Sequence, residues 1–156
     1  MVIDPAQEYT ATIVTAKGTM TVTLFADVAP IAVNNFVVLA NLGFFDGTPV
    51  NQVNPGTLLV LGSPDNSLQN DVGYRFVPEV NLEGAPQAGA LAWAPLVPSA
   101  AGIQASGSIL LIALAAPPAE ASVQYGFFGQ VSGGFDILES LAAGDLIESV
   151  TVSEGQ

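Results

Sequence analysis

The amino-acid sequence predicts a mainly β fold, either a barrel or a sandwich with helices at its ends. Short apolar runs alternate with closely spaced turn formers, only two segments have helical periodicity, and no linker is long enough to separate two domains. The chain has 156 residues, 50% of them hydrophobic and 10% charged. We therefore expect a single domain, 1–156, with a substantial core.

The first element is a β hairpin. The stretch "YTATIVTAKGTMTVTLF" places two runs of apolar and β-branched residues on either side of Lys17-Gly18, a turn-forming pair. Met20, Val22 and Leu24 alternate with threonines, the period-2 pattern of a half-buried strand.

A helix follows the hairpin. Pro30 suits its first turn and Gly43 suits the position just past its end. Four apolar residues spaced at i, i+3, i+4 and i+7 mark its buried face: Val33, Phe36, Val37 and Ala40.

The rest of the chain predicts further strands and one more helix. Thr57 to Leu61 is a short buried strand, after which Gly62 lets the backbone turn or approach another segment closely. Trp93 lies in a strand and is expected in the core. In order, the other predictions are a loop-rich stretch over 63–88, a strand over 89–94, a loop over 95–107, strands over 108–114 and 125–131, a helix over 133–145 that ends at Gly144, and a strand over 146–154.

Composition disfavours several classes of function. The chain has no Cys and no His, so it has no catalytic triad, no Cys–His pair and no thiolate or imidazole zinc site. Its formal charge of −12 repels nucleic acid and anionic membrane surfaces. We expect no metal and no cofactor, and we interpret the acidity as a source of solubility or an adaptation to salty surroundings.

Targeting signals are not visible in the sequence. The amino end, "MVIDPAQEYT", lacks a basic region followed by an apolar one, and the longest apolar run stops at Pro117-Pro118, short of a membrane span. We expect no membrane insertion. The compartment stays open, because an exported precursor trimmed to this domain would look the same.

Several motifs together resemble one family. "ATIVTAKGTMTVTLFADVAPIAVNNFVVLANLGFFDGT", "NPGTLLVLGSPD", "GYRFVPEVN", "GALAWA", "GSILLI" and "FFGQVSGGFDILESL" occur with the order and spacing of cyclophilins, the peptidyl-prolyl cis-trans isomerases. The resemblance covers about residues 8–152. It implies an eight-stranded antiparallel closed β-barrel capped by two α-helices, with a peptide-binding groove on one outer face.

The resemblance also implies which positions form that groove, and most of them depart from the family pattern. Gln52 stands where the family has its catalytic arginine. The residues implied to form the peptide-binding groove are Thr57, Leu58, Val60, Pro95, Ile109, Leu111 and Tyr125, which replace the family's aromatic, Met, Gln, Asn and His side chains.

Three functions are consistent with these replacements. The first is a degenerate cyclophilin that binds proline-containing or apolar peptide segments with little or no turnover. The second is a slow prolyl isomerase assisting protein folding, with Gln52 as the surviving donor, and the third is a structural domain that uses another surface. A deliberately altered sequence is a further alternative. The expected partner is a peptide or protein segment, not nucleic acid, and a monomer is the default.

Overall fold

A computed structural model of the chain describes residues 1–63, 75–76, 87–99, 102–116 and 127–155, with the backbone alone at 75–76, 95–99 and 102–107. Within these ranges the elements are, in order, β1 Tyr9–Thr15, β2 Gly18–Leu24, α1 Pro30–Asn41, β3 Thr48–Asn54, β4 Leu58–Leu61, β5 Arg75–Phe76, β6 Ala90–Ser99, β7 Gly102–Ala113, β8 Phe127–Gly133, α2 Phe135–Ser140 and β9 Leu146–Glu154.

Eight of the strands form a closed antiparallel barrel. Their order is β4-β3-β9-β1-β2-β8-β6-β7, and β7 pairs with β4 to close the ring. The closing pairs run from Leu58↔Ala113 to Leu61↔Leu110. The two-residue strand β5 pairs with β7 farther along, at Ser106. The predicted eight-stranded barrel is confirmed, and the alternative of a sandwich is wrong.

The first hairpin follows its predicted pattern. β1 and β2 pair from Tyr9↔Leu24 to Thr15↔Gly18, so the two turn residues are Ala16 and Lys17, one position earlier than predicted, and Gly18 begins β2. The predicted inward residues Met20, Val22 and Leu24 are no more than 3% exposed, as the alternation requires.

Helix α1 has the predicted buried face and the predicted end. Its four predicted core residues are at most 7% exposed. Gly43 has φ +71°, its N–H bonds to the Ala40 carbonyl, and the Phe44 N–H bonds to the Leu39 carbonyl, each at 3.0 Å. This pair of bonds is a Schellman motif, which favours glycine at that position.

An aromatic cluster joins α1 to the barrel. The Phe36 ring lies 5.5 Å from Phe45, 5.9 Å from Phe128 and 6.4 Å from Trp93, centroid to centroid. Trp93 is 1% exposed, and its indole Nε1 donates to the Ala32 carbonyl at 3.2 Å. The expectation that Trp93 belongs to the core is confirmed, and its polar atom is satisfied by the helix.

The predicted loop over 95–107 is wrong. The backbone at 95–99 continues β6 and that at 102–107 begins β7, so the two strands form one long hairpin. Pro95 and Pro98 led to the loop prediction, because proline cannot donate to a sheet ladder. The register of β6 against β7 shifts between Trp93 and Pro95 and again before Pro98, and such irregularities are where strands tolerate proline. The predicted loop-rich stretch over 63–88 lies largely outside the described residues.

The second helix is shorter than predicted. It ends at Ser140, because Leu141 is extended, with φ −69° and ψ 141°. Gly144 was predicted to end it but lies in the following turn, where its N–H donates to the Val50 carbonyl at 2.8 Å. The Ser140 carbonyl instead accepts from Lys17 Nζ at 2.6 Å, so a cation from the first hairpin satisfies the helix end. Of the predicted inward residues, Leu138 and Leu141 are buried and Ile137 is partly buried against the core.

Lys17 also forms an ion pair that makes stability pH-dependent. Its Nζ lies 3.0 Å from Asp145 Oδ2, and the Ala142 N–H donates to the same carboxylate. The Ala142 hydrogen bond and Lys17 lower the pKa of Asp145 below its usual 3.8. Because the unfolded state binds the proton more tightly, this contribution is fully present above about pH 4–5 and disappears as the pH falls through the lower, folded-state pKa.

We therefore expect Asp145→Asn to lower stability at pH 6 and to have a smaller effect at pH 2, because protonation of Asp145 in acid removes the charge that Lys17 contacts. The free energy of unfolding in urea at the two pH values measures this. Asp27→Asn, the same change of charge at an exposed turn, is the control. An Asp145→Asn deficit that persists unchanged in acid would show that the contact does not depend on the charge.

Candidate functional site

The outer face of β3, β4 and β7 carries a row of side chains that the barrel register brings together. Gln52 pairs with Val60, Val60 with Leu111, and Leu111 with Ala92 of β6. Residues directly opposite each other in antiparallel strands present their side chains on the same face of the sheet. The next row, which includes Leu59 at 0% exposure, faces the interior. We call the four residues Gln52, Val60, Leu111 and Ala92 the outer row.

Exposure varies along the outer row, and Gln52 is its one exposed residue. Gln52 is exposed and Leu111 is half-buried, whereas Val60 is 7% and Ala92 only 1% exposed. The polar end is therefore accessible, and the apolar part forms a mostly covered floor. An arrangement of this kind can hold an apolar group with a polar atom at its edge.

Gln52 is a neutral donor at the accessible end. Its Nε2 donates to Asn54 Oδ1 at 3.2 Å, a bond between two exposed side chains. Lys17 is the single basic side chain that the structure describes, and it is engaged with Asp145 and the Ser140 carbonyl. Within the described side chains, the outer row therefore has no cation of its own.

Asn51 is a buried polar residue for which sequence reasoning gave no role. It is 8% exposed, its Nδ2 donates to the Ser63 carbonyl at 2.8 Å, and its Oδ1 accepts from the Ser63 N–H at 3.0 Å. No signal in the sequence sets Asn51 apart from Gln52 and Asn54, the other amides of the same strand. Its burial is tolerated because its polar atoms are hydrogen-bonded.

A pocket of about 470 Å³ lies away from the outer row, near the β3–β4 turn and the end of α2. Its lining residues are Val53, Pro55, Gly56, Leu114, Glu139, Leu141, Ala142 and Ala143. It shares no residue with the predicted groove. In the described part of the chain, no group of three acidic, His or Cys side chains could hold a metal, and no helix is long and apolar enough to cross a membrane.

Comparison with known families identifies the fold. A family model described as "Cyclophilin type peptidyl-prolyl cis-trans isomerase/CLD" matches residues 10–154. The chain belongs to the cyclophilin family. The match runs from the second residue of β1 to the last residue of β9 and includes both described helices.

Two relatives that match this cyclophilin over most of their length are named peptidyl-prolyl cis-trans isomerases. It is 32% identical over 146 residues to a peptidyl-prolyl cis-trans isomerase of Helicobacter pylori, covering 92% of this chain and 86% of the relative. It is 33% identical over 132 residues to peptidyl-prolyl cis-trans isomerase B of Bacillus subtilis, covering 83% and 87%.

Solved structures agree on the fold. A cyclophilin-type isomerase of Cryptosporidium parvum superposes with a TM-score of 0.82 at 21% identity, covering 96% of this chain and 99% of the other. A second structure of that protein, in the presence of the dipeptide Ala-Pro, gives a TM-score of 0.80 at 20% identity, covering 94% and 99%.

The predicted groove residues of this cyclophilin fall into two sets. Gln52, Val60 and Leu111 lie in the outer row, and strand alternation puts Leu58 and Ile109 on the same face. Leu58 is half-buried and Ile109 is 6% exposed.

The remaining predicted positions lie at the margins. Thr57 is exposed in the β3–β4 turn, where its N–H donates to the Asn54 carbonyl and its own carbonyl accepts from the Leu114 N–H, both at 2.9 Å. The backbone of Pro95 lies opposite Ala105, past the register shift in β6. Tyr125 lies outside the described residues.

Proposed function

We propose that the outer row and its neighbours bind proline-containing or apolar peptide segments with little or no turnover. The observation that supports this most directly is the chemistry of the row: an apolar floor with a neutral amide, Gln52, at its exposed end. Membership in the cyclophilin family supports peptide binding on this barrel. The reduced turnover rests on Gln52 and on four other described residues that replace the family's aromatic, Met and Gln side chains: Thr57, Leu58, Val60 and Leu111.

Catalysis of prolyl isomerisation needs more than a binding face. Rotation about the peptide bond has a barrier of about 18–20 kcal/mol, because amide resonance must be broken. A catalyst lowers it by binding the twisted amide more tightly than either planar isomer. A guanidinium aimed at the twisted amide does this well, since it is permanently charged and rigid.

An amide does the same task poorly. Gln52 is neutral, so its hydrogen bond to the twisted amide gains less than a charge-assisted one. One of its two Nε2–H groups is also already bonded to Asn54 Oδ1, so a single N–H remains for a substrate. Loss of one preorganised donor in comparable sites lowers the rate by roughly 10²–10³.

Exchange NMR on a series of Xaa-Pro peptides tests binding and turnover together. We expect resonances of Leu-Pro and Val-Pro peptides to shift on addition of the protein, while cis–trans exchange stays at the uncatalysed time of roughly tens to hundreds of seconds. The backbone amide resonances of Gln52, Val60 and Leu111 should also shift when peptide is added. Strong acceleration of cis–trans exchange would show that the protein is an isomerase rather than a binding protein. Absence of any shift would exclude this face and favour another surface.

A matched pair of variants tests where the peptide binds. Leu111→Asp places a charge in the outer row and should abolish the shifts. Leu42→Asp makes the same change just past α1, at a residue that is 76% exposed, and should leave them unaltered. Equal effects of the two variants would contradict binding at the outer row.

A slow isomerase is the second candidate, and the names of the relatives favour it. Chains 32–33% identical to this one over most of their length are named peptidyl-prolyl cis-trans isomerases. Gln52 would then be the donor, through the amide hydrogen that is not bonded to Asn54. Weak acceleration that disappears in Gln52→Ala would support this reading over a binding protein.

A further inference from the structure

The strand that carries Gln52 contains one extra residue, and that residue is Asn51. Val50 pairs with Leu61 and Gln52 pairs with Val60, so two steps along β3 match a single step along β4. This is a β-bulge, which changes the face on which the following side chains lie.

The bulge decides which side chain reaches the outer row. Val50 and Leu61 both face the core, at 0% and 2% exposure. A regular continuation from that pair would set Asn51 opposite Val60 and Gln52 opposite Leu59, which is buried inside the barrel. With the bulge, Gln52 lies opposite Val60, and Asn51 has no partner on β4 in the ladder and is buried.

The Asn51 side chain holds the bulge in place. Its amide bonds to both backbone groups of Ser63, donating to the carbonyl at 2.8 Å and accepting from the N–H at 3.0 Å. Ser63 is fully buried and follows Gly62, where the chain leaves β4. Only a side chain with both a donor and an acceptor can satisfy both groups at once.

We propose that Asn51 is a positioning residue that fixes the register of β3 and so presents Gln52 to a bound peptide. It acts through Gln52 and the bulge rather than by touching the peptide. The consequence for binding rests on the proposed function of the outer row, whereas the consequence for register does not.

The test combines a structural and a binding readout on the variants Asn51→Ala, Gln52→Ala and the double variant. In Asn51→Ala we expect the cross-strand NOE between Gln52 and Val60 to weaken. Peptide affinity should fall about threefold to tenfold, the loss of one neutral hydrogen bond. Gln52→Ala should lower peptide affinity by the same factor. The double variant should lower it no further, because both changes remove the same contact.

Controls separate positioning from general destabilisation. Leu138→Ala removes a fully buried side chain of α2 and should leave both the NOE and the affinity unaltered in its folded fraction. If Asn51→Ala does not fold, Asn51→Ser retains one of the two hydrogen bonds and serves in its place.

An unchanged Gln52–Val60 NOE, or additive losses of affinity in the double variant, would overturn the proposal. If the unmodified protein binds no peptide, the proposed function fails, and the NOE alone then decides whether Asn51 sets the register.

Discussion

Replacing Gln52 with arginine is expected to accelerate cis–trans exchange of a bound Xaa-Pro peptide about tenfold to a hundredfold. Arginine would place a permanent charge at the exposed end of the outer row, where Gln52 now donates a neutral hydrogen bond. One preorganised donor contributes roughly 10²–10³ to rate in comparable sites. We expect less here, because the apolar floor is built from Val60 and Leu111 rather than aromatic rings. Exchange NMR with saturating peptide measures the change.

Two further substitutions at Gln52 identify the source of any gain. Gln52→Lys supplies a charge without the rigid fork of a guanidinium and should accelerate exchange less than arginine. Gln52→Leu removes the donor and should not accelerate it at all. The Gln52→Arg variant could bind peptide normally while exchange stays at the uncatalysed rate. The missing charge would then not be what limits turnover, and the apolar floor of Val60 and Leu111 would be the next site to substitute.

Elements with local signals could be predicted from the sequence. The β1–β2 hairpin was predicted from the turn signal at Lys17-Gly18, within one residue of the actual turn, and from alternation within a single strand. Helix α1 depends on Pro30 and Gly43 at its ends, and the Schellman bonds at Gly43 show why that residue type is preferred there. These signals lie within a few residues of the structure they determine, so no knowledge of the tertiary fold is needed.

Features that depend on distant partners could not be predicted this way. Helix α2 ends at Ser140, where its carbonyl accepts from Lys17, 123 positions away in sequence. Strand β6 continues over 95–99 and strand β7 begins at 102, because their pairing outweighs the local effect of two prolines, which lie at register shifts. In both places, local propensity pointed to a structure that tertiary contacts overrode.

The outer row illustrates the same limit for function. Periodicity identified apolar strands but not which ones are neighbours. The grouping of Gln52, Val60 and Leu111 came instead from the resemblance to cyclophilins, and the pairing of β4 with β3 and β7 sets the three in one line. The bulge at Asn51 has no local sequence signature, because register is a property of two strands together.

Gly62→Ala is expected to be among the most destabilising single substitutions, at about 3 kcal/mol or more. Gly62 has φ +101°, a conformation that costs other residues about 1–2 kcal/mol. A Cβ there would also overlap the backbone carbonyl oxygen of Ser108. That carbonyl lies on β7 next to the pairs that close the barrel, so relief of the overlap must move β4 and β7 apart.

The other end of β4 provides the matched control. Gly56 has φ +71°, but no heavy atom lies within 4 Å of where its Cβ would be. Gly56→Ala therefore carries the backbone cost without the overlap, and we expect about 1 kcal/mol. Urea unfolding of both variants gives the two free energies. Since the backbone conformation is unfavourable at both sites, the difference between the two losses measures the close approach of Gly62 to the Ser108 carbonyl. Equal losses would show that this close approach adds nothing to the cost of the substitution.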